Sequence, residues 1–172
     1  IQPSALTATI AQATLNVLAN ADAKLFSTAD GTNFNGVSYA GFVGADTATV
    51  VGGTLVVARS NAATEAAGTY TGVLQASGLS AQNYAMNYVG GDFTIVPAGQ
   101  LLIRAANGAA TYGSAPTFSI SSVEYLTTAG QVLTGLNLVS GDGKAFQYQD
   151  GAGGTVGFTL GVPGRAMLGV VD

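Results

Sequence analysis

The chain has 172 residues and a formal net charge of −4, with 48% hydrophobic and only 8% charged residues. That apolar fraction is too high for a disordered tail, and the length suffices for one large or two small domains, so the chain should bury a core. Its five cations, Lys24, Arg59, Arg104, Lys144 and Arg165, are scattered, and Cys, His and Trp are absent. No basic stripe for nucleic acid or for direct membrane attraction exists, and disulfides, thiolate chemistry and imidazole metal sites are excluded.

Leu6-Thr7-Ala8-Thr9-Ile10 alternates and predicts a strand. Thr14-Leu15-Asn16-Val17-Leu18-Ala19 predicts a second. Alanine and leucine are also good helix formers, so a helix over 11–25 is the competing reading. Asp30-Gly31-Thr32-Asn33 and Asn35-Gly36 carry turn chemistry. A strand over 37–43 brings Tyr39 and Phe42 as core aromatics. Two β runs, 47–51 and 54–58, flank Gly52-Gly53 and predict a hairpin. Residues 60–67 read as a loop or short helical turn, and the strand over 68–74 buries Tyr70 or its neighbours.

Residues 83–89, Gly90-Gly91 and 92–96 predict a closing hairpin. Proline cannot donate to a ladder, so Pro97 ends that run. A new strand, 100–105, starts directly after Ala98-Gly99. Farther on, 117–120, 145–148 and 155–160 read as strands, with Gly-rich turns such as Gly151-Ala152-Gly153-Gly154 between them. Residues 165–171 form a candidate last strand. This strand spacing points to sandwiches.

The chain also repeats itself. Ile1-Gln2-Pro3-Ser4 has a counterpart in Ile95-Val96-Pro97-Ala98, 94 positions on. Leu15, Val17, Ala19, Ala23 and Phe26 match Leu101, Ile103, Ala105, Ala109 and Tyr112, each 86 positions apart. The difference assigns eight extra residues to the first unit near its start. We therefore expect a piece of a tandem array. It divides into a first β domain, 1–97, and a second, divergent or incomplete β domain, 98–172. The fold class expected is all-β, as tandem antiparallel sandwiches of Ig-like or Greek-key style. Pro97-Ala98-Gly99 is too short for a floppy linker, and proline fixes its own φ, so the pair should be elongated and fairly rigid. The second unit lacks counterparts of Asn83-Tyr84 and Phe93-Thr94-Ile95. Either 165–171 closes it within the chain or a neighbouring molecule supplies a strand.

Several short motifs resemble one family. They are Ile-x-Pro-Ala at the junction, Lys24-x-Phe26 with Asp30-Gly31-Thr32, Gly41-Phe42-Val43-Gly44-Ala45-Asp46, Ala67-Gly68-Thr69-Tyr70, Leu79-Ser80-Ala81-Gln82-Asn83-Tyr84 and Phe93-Thr94-Ile95-Val96-Pro97-Ala98. In the second unit, Ala110-Thr111-Tyr112-Gly113-Ser114-Ala115-Pro116 is similar to a Tyr-Gly-x-x-x-Pro element. In order and spacing these resemble the MBG and YDG repeat domains of large bacterial adhesins similar to filamentous haemagglutinin. The resemblance fades beyond Val123. It implies an extracellular repeat of a secreted bacterial surface protein, acting as a stalk or adhesive element in cell adhesion and biofilm. The partners implied are neighbouring repeats, with glycans or other copies of the chain as further candidates. It brings no active site.

The chemistry of the residues agrees with that expectation. The common acyl-transfer triads need His or Cys. A glycosidase needs two carboxylates facing one cleft, and Glu65 and Glu124 are the only glutamates. No catalytic, cofactor-binding or metal residue is assigned. Asp30-Gly31-Thr32-Asn33 could offer oxygens to calcium, but a turn whose side chains bond their own backbone is the simpler reading. Asp142-Gly143-Lys144 and Asp150-Gly151 read the same way. The glycines at 151–154 lack the strand-then-helix context of a phosphate loop. Tyr84, Tyr88, Tyr125 and Tyr148 are either core residues or sugar-stacking platforms. Glu124-Tyr125 is the pair to inspect on an exposed face.

Overall fold

The computed structural model describes residues 11–106, 119–138, 145–149, 155–159 and 167–169. Strand β1 (Ala13–Ala19) buries Leu15, Val17 and Ala19 while Thr14 stays exposed. Burial at every second position is the strand period, and it decides against the helix over 11–25. Strands β2 (Asp22–Leu25), β3 (Val37–Ala40), β4 (Gly52–Arg59), β5 (Gly68–Ser80), β6 (Tyr84–Val89) and β7 (Gly91–Val96) follow. They form two sheets, ordered β3-β1-β6 and β2-β7-β5-β4. The main core lies between them. It joins Val17 and Ala19 of one sheet to Val57, Leu74, Ala76, Phe93 and Ile95 of the other, with Val37, Tyr39, Met86 and Tyr88 packed alongside.

The all-β expectation holds, but the ladders are not all antiparallel. β1 runs parallel to β6, and β2 runs parallel to β7. The cause is a pair of sheet changes. The chain passes from the first sheet to the second at Asn20-Ala21, between β1 and β2. It does so again at Gly90, between β6 and β7. Residues 83–96 are therefore not a hairpin: β6 and β7 lie in different sheets. A Cβ on Gly91 would sit 2.3 Å from the Ala19 carbonyl oxygen, so glycine permits this close crossing. Gly91→Ala is expected to destabilise by about 1–3 kcal/mol through overpacking, against at most about 1 kcal/mol regained from a less free unfolded chain. A lower urea midpoint at unchanged slope checks it.

The Gly52-Gly53 hairpin is also corrected. Ala48–Val50 form a single 3-10 turn capped by the Thr47 side chain, and both glycines lie inside β4. Gly53 pairs with Leu79 across the β4–β5 ladder, and a Cβ on Gly53 would fall 2.2 Å from the Gly78 oxygen. The register shifts beside this point, between Gly53 and Val56. Sequence periodicity cannot distinguish a glycine turn from a glycine bulge.

After Pro97 come β8 (Leu101–Ala106), β9 (Ser119–Leu126), β10 (Val132–Leu133), β11 (Asn137–Leu138), β12 (Ala145–Gln149), β13 (Thr155–Thr159) and β14 (Met167–Gly169). They pair as β10-β9-β8-β14 and β11-β12-β13. β14 runs parallel to β8, matching Met167 to Leu102 and Gly169 to Arg104. A strand from the 165–171 segment thus pairs with β8 within the chain, as the first of the two expected closures requires. The strand expected over 6–10, the Tyr112-Gly113 element, and the turns at 142–144 and 150–154 lie outside the described residues.

Candidate functional site

Three places bring polar or apolar groups together in ways the linear sequence hides. The first is a charged cluster against the main core. Arg59 shares the inward face of β4 with Val57, two positions away, and is 5% exposed. Its guanidinium lies over the Phe93 ring, 4.9 Å from the centroid. It donates to Asp30 Oδ2 (3.0 Å), Glu65 Oε1 (2.8 Å), the Thr64 carbonyl (2.7 Å) and the Ala62 carbonyl (3.1 Å). Lys24 on β2, 7% exposed, reaches the same two carboxylates at 2.8 Å each and the Thr28 carbonyl at 2.9 Å. Two cations and two anions thus share one knot.

Burial would raise the Asp30 carboxyl, but hydrogen bonds and charge from Lys24 and Arg59 outweigh it and hold Asp30 below the ordinary carboxylate range. Hydrogen bonds from Lys24 and then Arg59 hold Glu65 down in the same way. Burial opposes the charge on Arg59, and its bonds to Glu65 and Asp30 raise it further above its usual value.

The turn weighed as a calcium loop therefore has other work. Asp30 is salt-bridged, and Asn33, in the left-handed region with φ 54°, accepts the Val57 N–H at 2.9 Å. That hydrogen bond satisfies a backbone donor of β4, which lies at the edge of its sheet. The next residue, Phe34, sets its ring edge-on to Phe93 at 5.4 Å. A melting temperature equal in chelator and in millimolar calcium is the expected outcome, since a native-state ligand would raise it by mass action; a rise of several degrees would make the turn a metal site.

The second place is the junction after Pro97. Along β8 the side chains alternate between two cores. Leu101 and Ile103 join Val123, Leu133, Leu136 and Tyr125. Leu102 turns the other way and packs with Leu126 against Ala23, Leu25 and Val96 of the N-terminal sandwich. Arg104, on that same face, donates to Asp22 Oδ1 at 2.6 Å and to the Ala23 carbonyl. Asp22 is itself 8% exposed at its side chain, so this ion pair is largely dry. The pair Glu124-Tyr125 splits between these faces: Tyr125 packs against the second core and Glu124 lines a hollow of about 270 Å³ beside Asp22 and Arg104. Both are half-buried, so they do not form one exposed patch.

The third place is a hollow of about 470 Å³ lined by Gln12, Asp46, Gln82, Asn83 and Tyr84. Tyr84 is 4% exposed. Its hydroxyl donates to Asp46 Oδ2 at 2.7 Å and accepts the Val43 N–H at 2.9 Å. The Val43 N–H lowers its pKa, but Asp46 and burial prevail and raise it. Its ring meets Phe42 edge-on at 5.8 Å, and Phe42 in turn meets Tyr39 at 5.7 Å. Tyr88 donates to the Leu79 carbonyl and accepts the Leu79 N–H, so it too works inside the fold. Tyr148 has no described side chain.

Sequence reasoning missed the charged cluster because its members lie up to 41 positions apart, from Lys24 to Glu65. The available signal was Arg59 at an inward position of an alternating strand.

Residues 15–94 match the family model described as MBG domain (YGX type). No curated protein and no solved structure matches the chain.

Proposed function

Taking the match of residues 15–94 to the MBG domain as the premise, we propose that this chain is an extracellular repeat module of a secreted bacterial surface adhesin. Domains of that type occur in surface-exposed proteins, and the match fits a repeat module of a bacterial surface protein. Its role is that of a stalk element that spaces and presents an adhesive tip. The division falls after Pro97, giving domains 1–97 and 98–172, and the partners are the neighbouring repeats of the same protein. We assign it no catalytic role; among the described acids, Asp30, Glu65 and Asp22 are engaged in ion pairs.

The observation that carries this reading is the junction. A connector of three residues would still allow bending if nothing else joined the two sides. Here Leu102 and Leu126 bury against Ala23, Leu25 and Val96, and Arg104 ties Asp22 beside them. Interfaces within a chain that are small and polar permit domain motion, and apolar ones resist it. Solution scattering tests the proposal. An elongated particle two sandwiches long is expected, and a profile of one compact globule would overturn it.

A second reading, direct contact with exopolysaccharide or host glycans, draws on the polar hollow at Gln12, Asp46, Gln82 and Asn83. Side-chain amides beside a carboxylate suit sugar hydroxyls. Binding on a glycan array that disappears in Gln82→Ala and Asn83→Ala variants would favour it, and a silent array would remove it. A self-assembling filament built by strand addition is the third. It predicts fibres of the isolated chain by electron microscopy, whereas β14 already occupies the β8 edge within the chain.

A further inference from the structure

The N-terminal sandwich has a property that spacing alone does not require. Its opening strands and its closing strands lie side by side and point the same way. β1 matches β6 in parallel over six residue pairs, from Ala13 with Tyr84 to Leu18 with Val89. β2 matches β7 in parallel over four, from Asp22 with Phe93 to Leu25 with Val96. The two ladders sit on consecutive segments of the same two chain stretches, so they form one seam that continues from sheet to sheet.

We propose that this seam is a shear clamp, which lets the module resist tension applied through its two ends. Tension enters β1 at its first residue and leaves β7 at Val96. Parallel neighbours pulled from opposite ends must slide past one another along their own axes. Ladder bonds in a parallel pair are evenly spaced along the strands, so sliding loads them together and they fail as a group. A hairpin pulled from its open end parts one bond at a time instead. A module pulled in that way would open under weak tension however stable it is at rest.

The seam is reinforced beyond the two ladders. The Ala13 N–H donates to the Asn83 carbonyl at 3.0 Å, above the first pair. The Phe26 N–H donates to the Val96 carbonyl at 2.8 Å, below the last. Asn87 Nδ2 donates to Asn16 Oδ1 at 2.7 Å across the seam. Gly91 lets the Ala19 backbone approach at the sheet change, between the last pair of one ladder, Leu18 with Val89, and the first of the next, Asp22 with Phe93. β8 and β14 stand in the same parallel relation after Pro97, which extends the principle along the array.

The clamp's biological use rests on the stalk reading, but the clamp itself is a property of the chain and is measured separately. The test is single-molecule force spectroscopy on the full chain. In one arm the two termini are tethered. In the other, tension is applied between the N-terminus and an Ala45→Cys anchor, which lies past the end of β3. Since β3 is antiparallel to β1, the start of β1 and the end of β3 lie at the same end, and this geometry peels β1 away bond by bond. Unfolding at several-fold higher force through the termini is expected. Equal forces in the two geometries, or a weaker response through the termini, overturn the clamp.

A cross-linked chain locates the barrier. Asn16→Cys with Asn87→Cys places two thiols at one register position. Once oxidised, the link takes the 70 residues between them, 17–86, out of the load path. The high-force event that releases the N-terminal sandwich, told apart by its length gain from any event of the β8–β14 pair, should vanish and return with reductant; its persistence at the same force would place the barrier elsewhere and overturn the clamp. Thermal melting confirms that each variant is folded before it is pulled. A compact particle by scattering that still resists force would sink the stalk reading and keep the clamp. An elongated particle that yields at low force would do the reverse.

Discussion

Arg59→Met is expected to lower the unfolding free energy of the N-terminal sandwich by about 3 kcal/mol, the lower end of the range for breaking a buried ion pair. The side chain is 1% exposed and makes four hydrogen bonds: two to carboxylates and two to the carbonyls of Ala62 and Thr64. Methionine fills similar volume but satisfies none of them. Lys24 remains beside both acids, which keeps the loss from reaching the upper end. Arg59→Lys should not rescue, because a single ammonium cannot serve a planar fork of partners or lie flat on Phe93. The pH profile provides a second readout. Asp30 and Glu65 are held below their ordinary range in the folded state. Their contribution is therefore full above the unfolded carboxylate values, about 4, and is lost as pH falls through the depressed native values. Removing Arg59 takes away part of the depression, so the acid loss should be shallower in the variant. Urea unfolding at neutral pH and near pH 3 checks both effects. An unchanged midpoint at neutral pH would mean that the cluster contributes nothing beyond its packing.

Much of the fold was legible because local pattern decided it. The alternation of Leu15, Val17 and Ala19 fixes β1 against a helix made plausible by its alanines. Pro97 marks the end of β7 because it has no N–H to give the ladder. The run Leu101-Leu102-Ile103 is apolar without alternation, the mark of a strand buried on both faces. Its two sides serve two cores.

What stayed hidden is non-local. Gly90-Gly91 reads as a turn in any short window. Only the backbone of Ala19, far away in sequence, makes it a crossing between sheets. The parallel pairings join residues about 70 positions apart, and loop-closure cost at that range says nothing about direction. Charge followed the same rule. Lys24, Asp30, Arg59 and Glu65 look scattered in a chain with 8% charged residues, yet they are adjacent in space. Few charges in a sequence make each buried one more telling, and Arg59 at an inward strand position was the visible clue.

Deleting residues 165–172 is expected to unfold the part of the chain after Pro97 while the N-terminal sandwich survives. β14 covers one side of β8, pairing Met167, Leu168 and Gly169 with Leu102, Ile103 and Arg104. Without it, β8 becomes an edge with unpaired donors and acceptors, which natural sheets avoid. Alternate β8 residues face the second core and the junction, so the strand cannot loosen without disturbing each. The second core is small, with Leu101, Val123, Leu133 and Leu136 as its buried members among the described residues. Below a certain size a core cannot absorb the loss of a strand. The N-terminal sandwich keeps its own core, and the clamp between β1 and β6 and between β2 and β7 is untouched. It should lose some stability, because Leu102 and Leu126 no longer hold their places against Ala23, Leu25 and Val96. Calorimetry should show two transitions in the full chain and one, slightly lowered, in the truncated chain. Hydrogen exchange would assign the survivor to residues 11–97. Two transitions persisting in a truncated monomer would mean that closure by β14 is dispensable. Two transitions persisting only in a truncated dimer would mean that a neighbouring chain supplies the missing strand, and that the β8 edge is where copies of this module join.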